Sequence, residues 1–385
     1  MRNSRGVALA IVLLTTPLCS HANPLYSVTW LGTLGGAVSN GNAINDRGQV
    51  TGWSYTRNGN IHAFLYGNGS MRDVGTLGGS LSVGEGINNR GQITGESYSL
   101  GNTTADAFLY SRGSMRDLGT LGGTASVPAL SSIGWGINDQ GQVTGASLIR
   151  GAPDTQPFLY SQGRMRDLGT LGGSGAGNGG SGQAINERGQ VTGVATTRSG
   201  NGNAFLFSDG KMTDLGTLGG NFSFGMGIND LGQVTGIAST QSGNIDAFLY
   251  SHGSMVDLGR LGGGTSWGNG INNLGQVVGW SYTSAGVSDA FLYSNGSMYD
   301  LNSLIGSEAS SVTLTVGMGI NDRGQIVADG FDSGVQSAFV LTPIGVPEPG
   351  VLGLMLAGLG TLGFSVARRR LTFQCGLPGK NDHRA

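Results

Sequence analysis

Charge, cysteine and histidine are scarce in this chain. Only 11% of its 385 residues are charged, and 21 Lys and Arg against 23 Asp and Glu leave a formal net charge of −2. No basic excess is present to neutralise phosphates, so nucleic acid is not an expected partner. The cysteines are Cys19 and Cys375. Cleavage of a leader after Ala22 leaves Cys375 alone and removes any internal disulfide. Of four His, only His62 and His252 fall between the leader and the C-terminal tail, and His252 sits in a tight hairpin signal. No Cys/His cluster has metal-ligand spacing, and no Ser has a recognisable His–Asp arrangement. Neither a metal nor a cofactor is therefore expected. Glycine is what abounds: 74 Gly, with 9 Pro. Each helical Gly costs about 1 kcal/mol, which excludes a helical bundle. A hydrophobic share of 38%, with 13 Phe, 10 Tyr and 5 Trp, argues against disorder.

The two ends read as addresses. Residues 1–22 carry Arg2 and Arg5, an apolar run from Val7 to Leu14, and then Ser20-His21-Ala22. That order is a secretory signal cleaved after Ala22, and the apolar run is too short to span a bilayer. At the other end, residues 343–350 hold the box Pro347-Glu348-Pro349. An uncharged stretch follows at 351–367, then the basic tail 368–385, opening on Arg368-Arg369-Arg370. Seventeen residues of helix rise about 25 Å, and the arginines place the tail in the cytoplasm. Box, transmembrane sorting helix and Arg cluster together resemble the PEP-CTERM signal of exopolysaccharide-producing bacteria. The resemblance implies an exosortase partner, transient anchoring in the inner membrane, and then release to the surface or outside. The segment after Arg370 is a departure, because such signals end near the Arg cluster.

Between the ends, over 23–342, the chain repeats. Ile-Asn-x-x-Gly-Gln recurs with its Asn at Asn45, Asn88, Asn138, Asn186, Asn229, Asn272 and Asn321. Ala-Phe-Leu-Tyr or a near copy recurs at Phe64, Phe108, Phe158, Phe205, Phe248, Phe291 and Phe339. Asp-Leu-Gly or a near copy starts at Asp73, Asp117, Asp167, Asp214, Asp257 and Asp300, with Trp30-Leu31-Gly32 as an N-terminal copy. The period of 43–50 residues is the length of a four-stranded propeller blade. Asn-Asp-x-Gly fits a type I turn and the later x-Gly pairs fit two-residue hairpins. In the first unit these signals predict strands at about 41–45, 49–55, 62–66 and 70–77. The expected fold is an all-β, seven-bladed β-propeller of four-stranded antiparallel blades. The N-terminal strand, a fourth strand without its first three, closes it by completing the last blade. These blocks also resemble the HAF repeat of extracellular proteins over residues 26–341. Its eponymous His persists only as His62, and the family supplies no catalytic residue.

Spacing shows where variation is tolerated. The first six Phe each lie nine residues before an Asp, whereas the link from Asp (or Trp30) to the next Asn runs from 15 to 21 residues. Added length falls near 124–134, 174–182 and 302–317, so one face of the propeller carries long variable loops. Two columns change chemistry on the constant frame. One reads Asn42, Glu85, Trp135, Gln183, Met226, Asn269 and Met318; the other Trp53, Glu96, Ala146, Val194, Ile237, Trp280 and Asp329. Trp53, Glu85, Glu96, Trp135, Trp280 and Asp329 are the candidate binding residues, because indole faces beside carboxylates stack on sugar rings. Packing of the indoles between blades is the competing reading. The expected protein is a secreted, non-enzymatic binding or structural module of the surface or exopolysaccharide matrix, with exopolysaccharide or a surface protein as partner. The alternatives are a carbohydrate-active propeller enzyme using carboxylates on the variable face, and a purely structural matrix protein. If the indoles bind, Trp135→Ala and Trp280→Ala weaken ligand binding at an unchanged melting temperature; a large loss of stability marks them as core.

Overall fold

The computed structural model describes residues 25–344 other than 124–128, 152–153 and 174–178. The signal cleavage at Ala22, the Pro347-Glu348-Pro349 box, the helix expected at 351–367 and Arg368, Arg369 and Arg370 lie outside the described residues. Among those described, no helix is long and apolar enough to cross a membrane.

Each repeat folds by reversing direction at its glycine signals. In the first, a long inner strand Gly35–Ile44 turns into Val50–Thr56, then Ile61–Gly67, then a short outer strand Ser70–Asp73. All three pairings are antiparallel. The outer hairpin has Asn68 at φ 52° and Gly69 at φ 75°, the left-handed pair of a type I′ turn. The outer strand is shorter than expected because Asp73 accepts the Gly75 amide at 2.7 Å, and Gly75, at φ 80°, turns the chain away. The glycines that follow open the next inner strand, which is longer than expected for the same reason. Residues 25–344 form one compact unit of β-sheets, several of them four-stranded and antiparallel, the larger ones joined between repeats by short parallel pairings, and no sheet closes on itself. The N-terminal strand Leu25–Trp30 runs antiparallel to Val335–Ile344, which continues to Ile326–Asp332 and Val312–Ile320. The first and last of the described strands thus share one four-stranded sheet.

The apolar core lies between repeats. The recurring Phe side chains are 0–1% exposed. Phe64 packs with Leu31, Val50, Val327, Ala338 and Val340, joining the first repeat to the last. Phe158 packs with Ala107 and Leu118 of the preceding repeat and with Ile137 and Val143 of its own. A strand covered on both faces must be apolar on both, which explains the unbroken Ala-Phe-Leu-Tyr run.

Polar side chains set the spacing between repeats. Asn88, 3% exposed, accepts the amides of Arg90 and Gln92 at Oδ1 and so folds its own turn. Its Nδ2 donates to Gln92 Oε1 at 2.8 Å and to the Asn138 carbonyl of the next repeat at 2.9 Å. The same inter-repeat bond runs from Asn45, Asn138, Asn186, Asn229 and Asn272, and the last, from Asn321, returns to the Asn45 carbonyl. Both the Asn and the Gln of the motif are therefore dictated by bonding. Asn88→Asp replaces a doubly engaged donor with an acceptor and leaves a buried carbonyl unpaired. We expect a loss of about 1–3 kcal/mol in urea unfolding. Phe158→Ala, which opens an inter-repeat cavity, is expected to cost about 3–5 kcal/mol in the same measurement.

Candidate functional site

The inner strand of every repeat carries a β-bulge at the same place. In the first, Gly41 pairs with Gly52 and Ala43 with Thr51, leaving Asn42 as the extra residue. Glu85, Trp135, Gln183, Met226, Asn269 and Met318 occupy the same position between paired neighbours. Those neighbours are Gly or Ala because space is short on both sides. A Cβ on Gly84 would lie 2.2 Å from Thr51 Oγ1 of the preceding repeat, and one on Gly86 2.7 Å from the Trp135 carbonyl of the next. A bulge re-aims the side chain it carries. Here all seven bulge residues line one axial cavity of about 310 Å³, floored by the Ile residues that precede each turn Asn. The first variable column of the sequence is thus the bulge column.

The second variable column stands across the ladder from residues two positions before the bulge. Trp53 pairs with Asn40, Glu96 with Val83, Trp280 with Trp267 and Asp329 with Val316. Among the six candidates, Glu85 and Trp135 line the cavity, whereas Trp53, Glu96, Trp280 and Asp329 do not. Trp280 is stacked on Trp267 at 5.4 Å between centroids and edge-on to Tyr282 at 5.3 Å. Trp53 meets Tyr55 edge-on at 5.9 Å. Asp329, 3% exposed, accepts the Gly41 amide and Asn40 Nδ2, each at 2.9 Å, and Gln336 holds the other end of the Asn40 amide. Trp267, Tyr282 and Asn40, which complete these contacts, stand in neither variable column. Their signal was strand alternation, but the bulge shifts the register by one and hides which residues face each other.

Burial dominates the electrostatics of the cavity. Desolvation, reinforced by the nearby Glu96 charge and only partly offset by Asn42, pushes the Glu85 carboxyl up to about 8. Asn42 Nδ2 donates to Glu85 Oε2 at 2.9 Å. Glu96 is raised by desolvation, and Asp329 is raised by desolvation to about 7 against the pull of its two donors. At neutral pH Glu85 is mostly protonated, so it can donate a hydrogen bond as well as accept one. The unfolded chain releases this proton near 4.5, the folded chain near 8. The folded state binds more protons across that window, so stability falls as pH rises through it. Glu85→Gln should flatten the decline of melting temperature between about pH 4.5 and 8 and raise the melting temperature at its alkaline end. Trp280→Ala should lower melting temperature by removing the stack with Trp267, while Trp135→Ala should change it little.

Comparison with curated proteins gives no match. Three solved structures show partial backbone similarity at low identity. TolB from Acinetobacter baumannii has a TM-score of 0.41 at 11% identity over 74% of this chain and 60% of that one. A puromycin-hydrolyzing peptidase of Mycobacterium tuberculosis scores 0.48 at 11% identity over 83% and 55%. The SapL1 lectin in complex with alpha methyl fucoside scores 0.38 at 13% over 82% and 99%. The chain therefore spans 60% of the length of TolB. Residues 345–370 match the PEP-CTERM protein-sorting motif, a signal that marks an exported protein for exosortase processing.

Proposed function

We propose that the chain is an exported, non-catalytic, seven-bladed propeller of HAF-type repeats. In this reading Leu25–Trp30 closes the ring, and the axial cavity binds a saccharide unit of the surface or exopolysaccharide matrix. The return of the Asn321 bond to Asn45 and the pairing of the first strand with the last support closure. The binding reading rests on one observation: a repeated bulge aims seven side chains of five chemical types into a single cavity. A bulge position that varies between constant glycine and alanine neighbours has the form of a recognition site. Trp135 offers a flat face to sugar C–H groups, and Asn42, Gln183, Asn269 and protonated Glu85 offer donors and acceptors to hydroxyls. Proteolytic release from the sorting segment leaves the module at the surface or in the matrix.

A carbohydrate-active enzyme is the second reading, favoured by Glu85, whose carboxyl is held protonated beside Glu96 as a general acid would be. One experiment separates the two. The protein is mixed with exopolysaccharide of the producing organism, and co-sedimentation and new reducing ends are read from the same tubes. Saturable co-sedimentation without new ends, lost in Trp135→Ala, is the expected result. New reducing ends that disappear in Glu85→Gln would replace the binding module by the enzyme, and neither signal would defeat both readings.

A further inference from the structure

We propose a second binding site, separate from the axial cavity, for an acidic saccharide in the groove between the first and second repeats. The groove encloses about 870 Å³ and is lined by Arg72, Arg90 and Arg112. Arg72 comes from the outer strand of the first repeat, Arg90 from the Asn88 turn of the second, and Arg112 from the outer hairpin of the second. All three are exposed, and Arg72 lies over the Tyr110 ring with its Cζ 5.9 Å from the centroid. No acidic residue lines the groove. Among the described residues no carboxylate comes within 4.0 Å of these guanidinium groups.

The repeat itself shows that this convergence is particular to one junction. At the next groove Gln140 and Gln162 stand where Arg90 and Arg112 stand here, and Arg116 is engaged with the Tyr160 hydroxyl at 2.5 Å. At the one after, Asp209 takes the hairpin position and cancels a charge. Glu187, outside the groove, interacts with the Arg90 charge, but no carboxylate lines the groove itself, and a bound oxyanion relieves the repulsion among its three guanidinium groups. Guanidinium groups grip a carboxylate or sulfate through paired N–H donors. Gln49, Gln92 and Ser111 on the same walls can bond the hydroxyls that surround such a group on a sugar, and Tyr110 backs the arginine that holds it. The ligand that fits is a sugar unit carrying a carboxylate or sulfate rather than a bare anion.

The test uses full-length protein in mild detergent, titrated calorimetrically at low ionic strength with trigalacturonate, neutral maltotriose and inorganic phosphate. Arg90→Gln and Arg112→Gln copy residues that the third repeat already carries at those positions, and Arg72→Thr copies Thr213, so the variants keep the fold. Trigalacturonate should bind saturably, weaken by about tenfold in each variant through loss of a charge-assisted pair, and be unaffected by Arg166→Thr or Trp135→Ala. Indifference to Trp135 separates this site from the axial one. Absence of trigalacturonate binding, binding by the three variants as tight as by the unaltered protein, or equally tight binding of maltotriose would overturn the proposal. Phosphate binding as tightly as trigalacturonate would overturn the saccharide and leave an anion hole.

Discussion

A buried asparagine amide that donates across a repeat boundary sets the conditions for the rest of the molecule. Its oxygen closes its own turn, and its nitrogen reaches Gln four residues on and the backbone carbonyl of the next Asn. One side chain thereby couples local folding to the distance between neighbours. A second relay runs one residue further along, where the Asp46 amide donates to Asn89 Oδ1 and the Asn89 amide to Asp139 Oδ1. It continues through Glu187, Asp230, Asn273 and Asp322 back to Asp46. The carboxylates of this ring are thus accepting backbone amides that would otherwise point unpaired into the axis. Periodic acids of this kind need no catalytic explanation.

Once the inner strands are drawn so close, glycine becomes obligatory just before the bulge and across the ladder from that position. A methyl group on Gly95 would lie 1.8 Å from the Val83 carbonyl, and one on Gly134 2.1 Å from Thr94 Oγ1. Backbone packing this tight leaves the bulge residue as the inner-strand position free to carry any side chain toward the axis. The low charge of the chain follows from the same geometry, since strands covered on both faces cannot hold unpaired charges. Exceptions are handled individually. Asp246, fully buried, is paired with Arg260, and Asp329 is wrapped by donors and shifted toward its neutral form.

Much of the architecture was readable along the chain because repeats report themselves by period. The all-β class, the antiparallel four-strand order and the turn positions at Asn45-Gly48 and Asn68-Gly69 follow from local stereochemistry, in which glycine and asparagine signal left-handed or tight-turn backbone. The sorting motif is equally local. The candidate site was only half legible. The first variable column could be picked out because its chemistry changes between constant neighbours, yet nothing in one dimension says that all of its members meet at one axis.

The sequence by itself determined the repeat, its turns and the apolar strand packed between repeats, because each depends on residues only a few positions apart. Only the tertiary structure decided that Asn42, Glu85, Trp135, Gln183, Met226, Asn269 and Met318 share a cavity while Trp280 stacks on Trp267 instead. A bulge is a mismatch between two strands, so it exists only once both are paired. The same holds for the shift of Glu85 to about 8, which desolvation imposes after the neighbouring repeats have closed around it.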